Sequence, residues 1–245
     1  TCPNRDGTSG TGGCSYCLNA AFNPSYCIST KSITEQLSDG LLFFSKMRGR
    51  ADGCLAYFQA FSNTHGQLQS LAHKYEEALA HPNVRGIVIA TRPDCIDSEK
   101  LDLLAALQQR TYVALEIGIE SIHDGTLRRI NRGHDVQCTL TALESIAPYG
   151  IPVCGHLIFG LPGETPDTWF QDLRTINTLP LNSVKFHQLQ IIKGTQMEHD
   201  FQEHRADFHT FTFDTYVAFV ADYLTLLRPD IAVERLAGEV PPRFI

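Results

Sequence analysis

Apolar runs of strand length alternate with longer stretches of helical spacing along nearly the whole chain, and this alternation limits the fold more than any other feature. The periodicity predicts a helix over 32 to 48 with Ser32 or Thr34 as N-cap, a strand over 54 to 61, and a helix over 67 to 80. A strand at 84 to 91, a helix at 98 to 109 and a strand at 111 to 121 follow. The series continues with a helix near 135 to 147, a strand at 151 to 160, a helix at 165 to 177 opened by Thr165 and Pro166, and a strand at 183 to 192. A helix at 216 to 227 and a short strand at 232 to 236 end it. Such a β-then-α order calls for parallel strands joined by helical crossovers, hence an α/β barrel or a doubly wound sheet.

The run 111 to 121 favours the barrel. Val113, Leu115, Ile117 and Ile119 share one face, while Ala114, Glu116, Gly118 and Glu120 share the other. Two carboxylates on one strand face are costly inside an apolar sheet but tolerable toward a wet barrel mouth. At 245 residues and 43% hydrophobic, the chain suits one domain, residues 1 to 245.

Acidic residues outnumber basic ones, 27 to 20, so nothing draws the whole surface to phosphate, and any nucleic-acid contact must be a local patch. No apolar run is long enough to span a bilayer and no export signal is visible, so the sequence reads as cytoplasmic, with no membrane partner. Eight cysteines are too few for a disulfide scaffold, which leaves metal binding, redox chemistry or burial.

Polar and glycine-rich pieces fall where the strands end: FSNTHG, TRPD, GIES, FGLPGE and IIKGT. In parallel α/β folds, ligands collect at those ends. The opening TCPNRDGTSGTGGCSYC holds Cys2, Cys14 and Cys17, an odd number of thiols around a loop that its glycines allow to fold back. Three thiolates suit an iron–sulfur cluster with one open iron position, whereas a closed zinc site wants four ligands, which Cys27 would complete. Cys54, Cys138 and Cys154 read as small packing residues; Cys95, at a strand end, is a further site candidate. His156 and His187 lie within strands, His156 on one face with Cys154 and Ile158.

In this order, TCPNRDGTSGTGGCSYC, YFQAFSNTH, ATRPDC, LEIGIES, INRGHD, GHLIFGLPGET and IIKGT resemble the radical S-adenosylmethionine (SAM) superfamily, in the YhcC-type branch close to the catalytic subunit of Elongator. The resemblance spans nearly the whole chain. It implies a partial (β/α)6 TIM-like barrel, with residues 1 to 31 as the cluster-binding loop and 32 to 245 as barrel and C-terminal extension. It also implies a first strand ahead of Cys2. A [4Fe-4S] cluster would sit on Cys2, Cys14 and Cys17, and SAM on its fourth iron, to be cleaved to a 5′-deoxyadenosyl radical. Tyr16 would lie near the adenine. Gln59, Ser62, Asn63 and Thr64 would hold the SAM amino group, Glu120 the ribose, and Arg132 the carboxylate. Ile158, Leu161, Gln190 and Ile191 would line the adenine, leaving Arg92, Glu116 and His156 as catalytic candidates facing substrate. The first cysteine spacing departs from the superfamily's usual CxxxCxxC.

By analogy the substrate is a tRNA base, a wobble uridine, and the reductant a flavodoxin- or ferredoxin-like protein. Oligomeric state carries no signature. A second reading is a noncatalytic four-cysteine zinc module; a third uses Glu116 and Glu120 as acid and base without a cluster.

Overall fold

The computed structural model describes residues 1–48 and 52–245. Six parallel strands form one sheet: β1 (Cys54–Phe58), β2 (Val84–Thr91), β3 (Tyr112–Glu120), β4 (Val153–Phe159), β5 (Ser183–Gln188) and β6 (Ala232–Arg235), ordered β1-β2-β3-β4-β5-β6. A doubly wound sheet reverses its strand order so that helices cover both faces. Here the order never reverses, and crossovers of one hand then stack every helix on one side. The sheet curls with its free face inward, as a half-barrel.

Alternation along the strands supplies both faces. Ile87, Ile89, Val113, Leu115, Ile117, Ile119, Val184 and Phe186 are buried in the main core. Phe159 sits in an aromatic cluster there, its ring centroid 4.9 Å from Phe219, 5.1 Å from Tyr223, 5.3 Å from Phe186 and 5.5 Å from Trp169. The opposite face of β3 turns Glu116, Gly118 and Glu120 into the concavity.

Element ends depart from the periodicity for local reasons. The first strand stops at Phe58 because Phe61 has a positive φ of 64°, and the Asn63 amide fixes the turn by donating to the carbonyls of Phe58 (2.8 Å) and Ala90 (2.9 Å). Strand β5 stops at Gln188. The last long helix starts earlier than its apolar pattern, at Phe213, since Thr212 and Thr215 form a reciprocal capping box. Two helices, Asp124–Arg129 and Gln196–Glu203, are too short and polar to show a period.

Helix Val136–Ile146 is capped by Asp135, which accepts from the Cys138 amide at 2.8 Å. Asp135→Ala is expected to cost about 1 kcal/mol. In a chain of this size that lowers the thermal midpoint by about 2–4 °C, read by circular dichroism.

Among the described residues no helix is long and apolar enough to cross a membrane.

Candidate functional site

The strands' carboxyl ends and the cysteine loop enclose a cavity of about 220 Å³. Cys2 caps a helical turn, Pro3–Asp6, whose end at Gly7 (φ 91°) reverses the chain. The loop is then tied to the body: the Gly13 amide donates to the Asn4 carbonyl (2.7 Å), Ser15 to Ile130 (2.9 Å), and the Asn131 side chain to Thr11 (3.0 Å) and Gly13 (2.8 Å). The CxxC closes through Cys17 N–H to Cys14 C=O at 3.0 Å. Cys2, Cys14 and Cys17 therefore line the same cavity, all three as free thiols. Gly13, at φ 82°, lies where a Cβ would meet the Arg5 guanidinium at 2.7 Å, so the loop admits only glycine there.

Cationic donors surround these sulfurs. Arg132 Nη1 lies 3.5 Å and Arg92 Nη1 3.8 Å from Cys14 Sγ, and Arg5 donates to the Cys17 carbonyl at 2.9 Å. Burial pushes the Cys17 thiol up, and the neighbouring Cys14 adds to it. Arg92 is held from behind by a bidentate pair with Asp94 (Nε to Oδ1 2.8 Å, Nη2 to Oδ2 2.7 Å). Its guanidinium, engaged with Cys14 and Asp94, lines the cavity together with Glu116 and His156.

Glu120 turns the chain at a positive φ of 65°, and its carboxylate lies 3.4 Å from Arg132. Arg132 also donates to the Gly118 carbonyl at 2.5 Å. A Cβ at Gly118 would meet Glu120 Oε1 at 2.5 Å and Arg132 Nη2 at 2.6 Å, so this crowded crossing excludes a side chain. Glu120 itself, a non-glycine residue at positive φ, is strained, and such strain gathers at functional positions.

Other expected residues divide. Tyr16, Gln59, Ser62, Ile158 and Gln190 line the cavity, and Ser62 Oγ and Gln190 Oε1 are buried without a partner. Asn63 and Thr64 do not line it: Asn63 staples the turn, and Thr64 Oγ1 bonds Thr91 Oγ1 (2.6 Å) and the Cys95 carbonyl (2.8 Å). Leu161 lies fully buried with Leu127 and Met197 in a second apolar cluster against which Ile191 also packs; Ile192 lines the cavity instead. Cys95 is buried beside Thr64, its thiol pushed up to about 12 by burial and then by Asp94, which marks it as unreactive.

One end of the cavity is a charged network that the sequence named only in part. Glu116 accepts from Tyr57 Oη (2.7 Å), from His156 Nε2 (2.7 Å) and from Lys185 Nζ. Burial alone would raise its pKa, but these donors more than offset that and hold it at about 2. Lys185 also lies 3.4 Å from Glu234. Alternation in SVKFHQ, with Val184 and Phe186 outward, was the available signal for Lys185; Tyr57 and Arg235 carried none as clear. With its pKa held down by three donors, Glu116 is ionised at neutral pH and is not placed as a proton donor, which argues against the acid–base reading.

The half-barrel has counterparts among known proteins. Residues 7–176 match the model of the radical SAM superfamily, and residues 181–245 match that of the radical SAM C-terminal domain. The chain belongs to the radical SAM superfamily. It is 35% identical over 239 residues to the protein YhcC of Escherichia coli K12, covering 97% of this chain and 75% of that one. It is 24% identical over 177 residues to a tRNA uridine(34) acetyltransferase of Methanocaldococcus infernus, covering 71% of this chain and 32% of that one. The solved archaeal Elp3 of M. infernus, with an N-terminal deletion, shares the fold at TM-score 0.73 and 17% identity over 87% of this chain and 55% of that one.

The radical SAM donor set fits a cluster better than a single ion. Ligands of one zinc ion, each ~2.3 Å from it, crowd within about 4 Å of one another. Among the described residues no three His, Cys, Asp or Glu side chains gather that closely. Thiols holding separate irons stand farther apart, and the guanidinium groups on Cys14 suit an anionic cluster.

Proposed function

We propose that this radical SAM protein is an enzyme that reductively cleaves SAM at a [4Fe-4S] cluster held by Cys2, Cys14 and Cys17. The observation that carries the reading is the convergence of three free thiols on one cavity, with Arg132 and Arg92 donating to Cys14 and two unpartnered polar atoms, Ser62 Oγ and Gln190 Oε1, in the same walls. When bound, the cluster and SAM supply a 5′-deoxyadenosyl radical for hydrogen-atom abstraction.

The chain's residues would bind, orient and shield. Arg132, whose fork matches a carboxylate, would take the SAM carboxylate, and Glu120 beside it would take ribose hydroxyls. Tyr16 and Ile158 would pack the adenine, with Leu161 supporting Ile158 from the apolar cluster behind. Ser62 Oγ and Gln190 Oε1 would gain the hydrogen bonds they lack. At the charged end, Glu116 holds His156, Lys185 and Tyr57 in place and so fixes how this wall faces what enters the cavity.

The substrate we infer is a tRNA base, a wobble uridine, supported by the likeness to a tRNA uridine(34) acetyltransferase over 71% of this chain. A flavodoxin- or ferredoxin-like donor in the cytoplasm would supply the electron. Anaerobic reconstitution followed by dithionite and SAM is expected to release 5′-deoxyadenosine; none above a protein-free control would overturn the enzyme reading. Nucleosides from the tRNA of a deletion strain are expected to lack one modified uridine, and an unchanged profile would remove tRNA as substrate.

A further inference from the structure

We propose that the end of the cavity walled by Tyr57, Lys185 and Arg235 is an anion subsite, in which Arg235 grips a phosphate or carboxylate group of the substrate. The proposal rests on the reading of this cavity as the active site and adds the chemical class of what enters it.

The cavity's other cations have acceptors. Arg92 is clamped by Asp94, Arg132 by Glu120 and the Gly118 carbonyl, Lys185 by Glu116 and Glu234, and Arg5 donates to Cys17. Arg235 lines the same cavity, yet among the described residues no carboxylate or carbonyl accepts from it; its Nε, like that of Arg132, is buried without a partner. A guanidinium that lines a cavity without a protein acceptor leaves its outer donors for an arriving anion. Neither carboxylate of the network, Glu116 or Glu234, accepts from it; both engage Lys185.

The backbone explains how the guanidinium comes to be there. Strands β5 and β6 pair Ser183 with Ala232 and Val184 with Val233, then slip so that Lys185 faces Arg235. In a regular strand, consecutive residues point to opposite faces. The slip lets Glu234 bond Ser183 (2.5 Å) and Lys185 while Arg235, the next residue, also reaches the cavity. Its Nη groups, from which no protein group accepts among the described residues, present charged donors to the oxygens of a carboxylate or phosphate. A neutral substrate would leave those donors unmet.

The test uses inorganic phosphate and malonate as separate probes on the full-length protein with cluster and SAM, by phosphorus and carbon NMR line broadening. At least one anion is expected to bind. Binding is expected to weaken at least about tenfold in Arg235→Gln and to persist, weakened less, in Arg235→Lys, which keeps a point charge. Phosphate alone would identify a phosphorylated substrate, malonate alone a carboxylated one. Binding of neither anion, or equal binding by wild type and Arg235→Gln, would overturn the subsite. Release of 5′-deoxyadenosine by the wild type reads the proposed reaction separately: anion binding without it would sink that reaction and leave the subsite standing.

Discussion

Replacing Cys14 with alanine is expected to abolish both cluster assembly and SAM cleavage. Outer-shell partners of metal ligands typically matter 10–100-fold, so loss of a ligand itself should lower 5′-deoxyadenosine release by more than about 100-fold. Cys14 is the most consequential of the three sulfurs for a physical reason: it is the one toward which both Arg132 and Arg92 point their donors. Its removal takes away a ligand and leaves two buried guanidinium groups facing an empty corner. Cys27→Ala is the matched control. Cys27 does not line the cavity, so its variant is expected to keep the iron, sulfide and brown colour of the wild type. If Cys27→Ala loses its metal together with Cys14→Ala, and the metal is zinc, the four-cysteine reading wins. Iron and sulfide analysis, with chromatographic assay of 5′-deoxyadenosine, measures both.

How much of this was legible in the sequence depends on which physical rule placed each residue. Parallel strands with helical crossovers followed from β-then-α alternation, and the two carboxylates on one face of 111 to 121 favoured the barrel, whose unreversed strand order the structure shows. The faces of β3 followed from period two, which put Glu116 and Glu120 in the concavity along with Gly118. Local turns obeyed other rules. Asn63 and Thr64 sit in a motif whose family counterpart holds SAM, yet the positive φ of Phe61 turns them into the wall, and only Gln59 and Ser62 line the cavity. Arg92 was given a substrate-facing role by the resemblance alone, and it does line the cavity. The residue two places on, Asp94, captures its guanidinium and holds it near Cys14. Arg235 left no trace, since a slip in strand register has no signature in one sequence.

Glu116 anchors the charged end, and its replacement is expected to have the largest effect on stability. Its side chain is 3% exposed and has three donors from three different strands: Tyr57 on β1, His156 on β4 and Lys185 on β5. Removing one member of a buried, hydrogen-bonded ion pair costs about 3–5 kcal/mol. The partners are partly wet, with Lys185 15% and His156 20% exposed, which places Glu116→Gln near the lower end, about 3 kcal/mol. The sign with pH follows from its lowered pKa. The folded state holds Glu116 at about 2 against an ordinary 4.5, so the unfolded chain binds the proton more readily. The stabilisation is therefore complete above about 4.5 and is lost as pH falls from there through about 2. The gap corresponds to at most about 3 kcal/mol, in line with the cost of the substitution. Urea unfolding of cluster-free wild type and Glu116→Gln is expected to differ by that amount at pH 7 and to converge as the pH approaches 2. A difference that stayed constant across that range would mean that the carboxylate's charge is not what joins the three strands.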